Sequence, residues 1–392
     1  MRVLYFIPEL IQGGAERFIV ETIRRLHPTT IQASIATFRA NVSHYGELLP
    51  RDVPCHALNV EGAGVKAIVR FRALLDKTRP DLVHSFMEAP NFVARVAASL
   101  SGGPPVVTQV CGNFMKPRYL APGLGPRYAG NQWATTLLAN SGVICQELTR
   151  LGRVPVDRMT LMPNFVDLDR FRPAAPQARL DAKKRFGVEN HHPVFVVPAW
   201  IGLAKGHITL LYALAAARRG GALENAAVLF AGRVRDKIPG FLVPRAIERL
   251  ELAGVVRLLG AVSDMPALLA AADWVLLPSW YEGGAPPMAV IEALAAGVPT
   301  IVSHGADGDD RLQRAGVGIV VPTFRVGPLA AALRRAEGIV ERDREAMGQT
   351  GRRWAEVNAS PDVVLGELVK VYRRTVGTPL SAFEDPASPS GV

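Results

Sequence analysis

Between Asp273 and Ser303 the chain reads DWVLLPSWYEGGAPPMAVIEALAAGVPTIVS, and few folds can accommodate that order of residues. Asp273 to Ser279 is a short apolar run closed by Pro-Ser. Tyr281 to Pro287 is a loop carrying Glu282, Gly283 and Gly284. Pro287 suits the first turn of a helix, where its missing N–H costs nothing. Met288 to Ala296 is rich in helix formers and carries a second carboxylate, Glu292. Gly297 then supplies the left-handed residue that ends a helix, and Pro299 opens another apolar strand. The stretch predicts strand, glycine-rich loop, helix, strand. Free N–H groups at a helix start offer a place for an anion. Two carboxylates flanking such a place suggest hydroxyl groups gripped beside a phosphate, the description of a nucleotide-sugar.

The same alternation runs along most of the chain. Strands are expected at Arg2–Pro8, Gln32–Phe38, Val53–Val60, Asp81–Phe86, Val106–Val110 and Thr136–Asn140. A second series follows at Val194–Ala199, Ala227–Ala231, Val255–Leu259, Trp274–Pro278, Thr300–Ser303 and Gly318–Val321. Segments of helical spacing lie between them, including Ala15–Leu26, Lys66–Lys77, His207–Arg218, Leu242–Leu252 and Met288–Ala296. Strands alternating with helices predict an α/β protein with parallel sheets covered on both faces. At 392 residues, one core is too few. We expect two doubly wound, Rossmann-like domains: residues 1–166, a connector over 167–192, and a second domain over 193–360. Residues 378–392, rich in Pro, Ser and acidic groups, read as a disordered tail. Ligands of such domains lie at the carboxyl ends of the strands.

Composition removes several classes of function. The net charge of +10 fits an Arg-rich proteome, an anionic substrate or an anionic membrane surface. Nucleic acid is disfavoured, because no basic run with interleaved aromatics occurs. Three scattered cysteines form neither a disulfide framework nor a metal-ligand pattern, so a reducing, cytoplasmic setting is expected. No window reaches the ~20 apolar residues of a membrane span.

Four loops after strands could carry chemistry. Gln12-Gly13-Gly14-Ala15-Glu16 lets backbone approach a ligand at a helix start, although Glu16 could equally serve the helix dipole. In Gly202–His207 (GLAKGH), Lys205 is placed to neutralise a diphosphate; the alternative is an exposed lysine at a turn. Glu282 could receive sugar hydroxyls and Glu292 a ribose diol, since a carboxylate accepts two such bonds. Asp307-x-Asp309 has the form of a metal-binding pair, but here it reads as a plain polar loop, and no metal is expected. Neither a G-x-G-x-x-G fingerprint nor Walker A spacing is present, which disfavours a dehydrogenase and an ATPase.

Together these loops resemble glycosyltransferase family four, whose members have the GT-B fold. The resemblance is carried by GGAER at Gly13–Arg17, ANS at Ala139–Ser141 and MPNFVDLDRF at Met162–Phe171. It continues through Lys205-Gly206-His207, Val255–Ser279, Glu282-Gly283 and Glu292–Pro299, the region of the E-x7-E signature. It covers the chain to about residue 375. It implies a retaining, metal-independent hexosyl- or other glycosyltransferase with no cofactor beyond its nucleotide-sugar co-substrate. Lys205 would hold the donor diphosphate and act with Glu282 in catalysis. Glu282, Gly283, Gly284 and Ala285 would meet the sugar, Glu292 the ribose, and Gly13 and Gly14 the donor phosphate. A last helix over 361–377 would cross back to the first domain. The two glutamates stand ten residues apart here, more than the signature allows. Trp200 occupies a place where the family often has Arg, so a second cation is sought in Arg233. Cys111 stands where many members have His, and Phe165 replaces a hinge Gly.

The acceptor side falls to Glu16, His84 and the long loop with Asn113, Lys116 and Arg118. A saccharide, lipid-linked or small-molecule acceptor is expected, with no nucleic acid and with possible peripheral contact at the inner face of the membrane. The expected function is transfer from a UDP-linked sugar in bacterial polysaccharide, lipopolysaccharide or glycolipid biosynthesis. The alternatives are a natural-product glycosyltransferase, a GT-B epimerase or phosphorylase, and a catalytically weak binding or partner subunit.

Overall fold

The computed structural model describes residues 1–11, 13–40, 44–111, 134–150, 154–282, 286–307 and 310–377. They divide into two units, Met1–Met162 with the segment from Val364 onward, and Pro163–Val363.

The first unit is built on β1 (Arg2–Ile7), β2 (Gln32–Thr37), β3 (Cys55–Ala57), β4 (Leu82–Phe86), β5 (Val106–Val110), β6 (Thr136–Ala139) and β7 (Met159–Leu161). They form a parallel sheet in the order β3-β2-β1-β4-β5-β6-β7. Helices α1 (Gly14–Leu26), α2 (His44–Glu47), α3 (Val65–Thr78), α4 (Glu88–Ser101) and α5 (Gly142–Arg150) come from the intervening segments. Strand β3 is shorter than the Val53–Val60 expected, although the Leu58 and Val60 N–H groups still donate to the Thr37 and Phe38 carbonyls at 2.8 and 2.9 Å. Alternate residues of β1 serve opposite faces. Phe6 stacks on Phe71 of α3 with centroids 4.3 Å apart. Tyr5 meets the last helix of the chain, Pro361–Val376, whose Tyr372 hydroxyl donates to Tyr5 Oη at 3.2 Å.

The second unit contains α6 (Pro176–Arg185), β8 (Val194–Val197), α7 (His207–Arg219), β9 (Ala227–Ala231), α8 (Lys237–Arg249), β10 (Val256–Gly260) and α9 (Met265–Ala271). It continues with β11 (Trp274–Leu277), α10 (Met288–Ala295), β12 (Thr300–Ser303), α11 (Arg311–Ala315), β13 (Gly318–Val321), α12 (Val326–Gly338) and α13 (Glu341–Asn358). Its parallel sheet has the order β10-β9-β8-β11-β12-β13. Strands β8 and β11 are buried along their whole length, which is why they read as unbroken apolar runs. The chain's last helix, Pro361–Val376, is α14.

Two further expectations differ from the structure. The connector at 167–192 is not a free linker: Phe171, Ala182 and Val188 lie in the core of the second unit. Helix α8 begins at Lys237, ahead of the expected Leu242, because Pro239 falls in its first turn, where proline is tolerated. The loop expected at Asp307 leads into α11. Asp307 Oδ1 and Oδ2 accept from the backbone N–H groups of Leu312 and Gln313, both at 2.9 Å. That carboxylate is 1% exposed and committed to the helix start.

Candidate functional site

The second unit brings together residues that lie far apart in sequence because β8 and β11 are neighbours in its sheet. The loops that leave them must therefore meet at the carboxyl edge. Gly206 makes the meeting close. Its backbone is left-handed at φ 71°, and a Cβ there would stand 2.1 Å from the Pro278 carbonyl oxygen. Trp280 N–H donates to the Ala204 carbonyl at 2.8 Å, which staples the two loops together. Any residue but glycine at 206 would strain its own backbone and part the loops.

That staple sets Lys205 against Glu282. Lys205 Nζ donates to both oxygens of the Glu282 carboxylate, at 2.7 and 2.6 Å. The side chains are 13% and 8% exposed, so the pair is largely removed from water. Glu282 and Lys205 are thus in direct contact despite the lengthened spacing to Glu292. Residues 283–285, which include Gly283, Gly284 and Ala285, lie outside the described residues. Helix α10 follows them, with Pro287 as its extended N-cap and Gly297 at φ 70° just past its end. Glu292 sits on this helix at 5% exposure.

Trp200 leaves β8 just before Gly202, whose Cβ, if present, would collide with the indole ring at 1.7 Å. The ring carries two cations, Lys205 Nζ at 5.5 Å and the Arg235 guanidinium carbon at 4.7 Å from its centroid. Arg233, the expected second cation, is exposed, and its carbonyl accepts from Ile201 N–H at 2.9 Å. Arg235, exposed like Arg233, lies over the same Trp200 ring that Lys205 meets. Ile201 bridges Val234 in parallel register, so the segment is extended and residues 233 and 235 share a face. His207 opens α7 with its ring edge-on to Phe230 at 4.9 Å, and burial pushes its pKa down to about 4.

In the first unit, Gly13 is the N-cap of α1 and Gly14 its first residue. Glu16 folds back over Gly13; a Cβ at Gly13 would come within 2.3 Å of Glu16 Oε2. The carboxyl is 5% exposed, and burial pushes its pKa up to about 7, against its own backbone N–H, which lowers it. It lies in the first turn of α1. His84, expected on the acceptor side, is a core residue with no exposed surface. Its Nδ1 lies 2.6 Å from the Tyr372 hydroxyl, and burial pushes its pKa down to about 3. Asn113, Lys116 and Arg118 lie outside the described residues.

A further cluster escaped the sequence reading. Asp273, just before β11, has a fully buried carboxylate that pairs with Arg179, Lys183 at 3.5 Å, His192 at 3.3 Å and Arg344 at 3.6 Å. It also accepts from Val194 N–H at 2.7 Å. Burial alone would raise its pKa; Lys183, that N–H, Arg179 and Arg344 together hold it below the ordinary carboxylate range. The sequence signal was an aspartate set directly before an apolar strand, with a basic helix, Lys183-Lys184-Arg185, upstream.

This architecture, two units each built on a parallel sheet with helices, is that of the GT-B glycosyltransferases. The profile described as Glycosyltransferase Family 4 matches residues 12–170, and that of Glycosyl transferases group 1 matches 193–337. The chain belongs to glycosyltransferase family four. A GDP-mannose-dependent alpha-(1-6)-phosphatidylinositol monomannoside mannosyltransferase of Mycobacterium tuberculosis is 30% identical over 231 residues, 56% of this chain and 57% of that protein. The Escherichia coli UDP-Gal:alpha-D-GlcNAc-diphosphoundecaprenol alpha-1,3-galactosyltransferase is 27% identical over 249 residues, 61% of this chain and 62% of that one. The match thus spans less than two thirds of either relative. The crystal structure of Anabaena HepE in complex with UDP superposes with a TM-score of 0.81 at 16% identity, over 95% of this chain and 100% of that one.

Proposed function

We propose that this protein transfers a sugar, with retention of anomeric configuration, from a nucleotide-sugar to a hydroxyl group of an acceptor. The observation that carries this reading is the contact of Lys205 with Glu282 at the carboxyl edge of the second sheet, beside the helix that bears Glu292. On this reading the donor is UDP-linked. Its diphosphate takes the ammonium of Lys205, its sugar hydroxyls take Glu282, and its ribose takes Glu292. The leaving diphosphate accepts the acceptor's proton as the new bond forms on the same face. The protein's task is then to stabilise charge growing on the leaving phosphate, with Lys205 and Arg235 as the cations and no metal required. The acceptor is a lipid-linked saccharide of the cell surface. Both relatives described above are named for acceptors of that chemistry, a phosphatidylinositol mannoside and a diphosphoundecaprenol-linked sugar. The +10 net charge suits work at the inner, anionic face of a membrane. No helix among the described residues is long and apolar enough to cross one.

The test is incubation of the purified protein with UDP- and GDP-sugars, followed by measurement of thermal stabilisation and of slow donor hydrolysis. A bound donor at a hundredfold excess over Kd stabilises by about 2.7 kcal/mol. Stabilisation without any hydrolysis or transfer would instead identify a binding subunit.

A further inference from the structure

In the structure the group expected to bind phosphate and the group expected to bind sugar are bonded to each other. Both oxygens of Glu282 are within 2.7 Å of Lys205 Nζ, and the pair is shielded from water. That carboxylate takes two of the three N–H groups of Lys205, so a diphosphate reaching the ammonium must compete with it. What the displaced carboxylate then finds depends on which ligand has entered.

We propose that Glu282 determines the site's preference for an intact nucleotide-sugar over the nucleoside diphosphate left after transfer. The inference rests on the reading of Lys205 as the diphosphate cation. When a nucleotide-sugar enters, Glu282 exchanges one partner for another: it leaves the ammonium and accepts hydrogen bonds from the sugar hydroxyls. When the nucleoside diphosphate enters alone, no hydroxyls arrive. Glu282 loses its cation and is left poorly hydrated beside a phosphate of its own sign. A buried carboxylate without a partner is costly, and like charges at close range add to that cost. The carboxylate therefore competes with the product for Lys205 far more than it competes with the donor. Once the sugar has moved to the acceptor, Glu282 returns to the ammonium and speeds departure of the diphosphate. The staple at Gly206 matters here, because it fixes the two loops so closely that the carboxylate is always within reach.

The test uses the whole chain and isothermal titration with UDP, UDP-glucose, GDP and GDP-mannose. The nucleotide family bound by the wild type is carried forward. Glu282→Gln removes the charge at nearly constant shape. It is expected to bind the nucleoside diphosphate about tenfold or more tighter than the wild type, the scale of a charged hydrogen bond. Its affinity for the nucleotide-sugar is expected to rise less or to fall, so the preference for the sugar-bearing ligand collapses. Glu282→Asp keeps the charge but shortens the reach to Lys205, and is expected to show a smaller shift in the same direction. It also serves as the measurement if the first variant is unfolded by circular dichroism. An unchanged ratio of the two affinities in a folded variant, or weaker binding of the diphosphate, would overturn the inference while leaving the glycosyl-transfer reading intact. Failure of the wild type to bind any of the four ligands would overturn both.

Discussion

Strand β11 has a buried carboxylate at each end, and the two are built in opposite ways. At the amino end, Asp273 has no exposed surface and is held by Arg179, Lys183, His192, Arg344 and the Val194 N–H. At the carboxyl end, Glu282 retains 8% exposure and the structure gives it one cation, Lys205. The first carboxylate ties α6, β8, β11 and α13 together; with so many partners, losing one leaves the rest in place. Among the described residues the second pairs with Lys205, the cation that the proposed donor would take. Redundancy marks the first carboxylate as structural, and an exchangeable partner is what the proposed donor site requires of the second. The difference agrees with the general placement of ligands at the carboxyl ends of parallel strands.

The largest effect expected from this contrast is at Asp273. Asp273→Ala leaves Arg179, Lys183 and His192 without this counter-charge and Arg344 with Glu341, and removing one partner of a buried ion pair costs about 3–5 kcal/mol. Urea unfolding of the variant should show that loss, carried by the second unit. The same group sets an acid limit. Its folded pKa is depressed, so its contribution is present above the unfolded value near 3.9 and disappears as pH falls below it. A variant of ordinary stability would remove the structural half of the comparison.

Lys205→Ala should do the reverse. Removing a charge stabiliser from the leaving group lowers transfer by about 10² or more. Stability should fall by less than in Asp273→Ala, because Glu282 keeps some exposure whereas Asp273 keeps none. Transfer rates and melting temperatures measured on one preparation separate the two outcomes. A variant with wild-type turnover would leave Lys205 as a structural partner of Glu282 and nothing more.

The fold was legible for reasons these two ends make concrete. Buried strands such as Val194–Val197 and Trp274–Leu277 write themselves as apolar runs, and turns announce themselves through Gly206 and Gly297. Lys205 and Glu282 could be named because each follows such a strand. Their contact could not, since it depends on β8 lying next to β11 and on Gly206 closing against Pro278. Asp273 was passed over because its partners come from three separate segments, and only the fold assembles them. His84 shows the opposite error. A histidine in a strand reads as a candidate ligand until burial and the Tyr372 hydroxyl account for it.

A third buried carboxylate sharpens the contrast by lying outside it. Burial dominates at Glu16 and pushes its pKa up to about 7. Its folded value is raised, so the first unit is favoured below the unfolded value near 4.3, and that stability is lost as pH rises toward 7. Glu16→Gln should flatten the pH dependence of unfolding between those limits. A slope that survives in the variant would place its origin elsewhere.

The smallest effect expected is at Trp200, and it tests how far the functional end of β11 extends. The indole holds Arg235 at 4.7 Å and Lys205 at 5.5 Å from its centroid. Cation–π contacts at such partly exposed positions contribute about 0.5–1 kcal/mol each. Trp200→Leu keeps apolar bulk against Gly202 but removes the ring face. Donor affinity should fall about two- to fivefold, by the conversion of that energy, with kcat less affected than KM. Arg235→Ala should reproduce the loss, and combining the two should cost no more than either alone, since the guanidinium is held by the ring it would no longer meet. Additive losses would mean that Arg235 reaches the donor without Trp200. No loss in either variant would confine the functional end to Lys205 and Glu282.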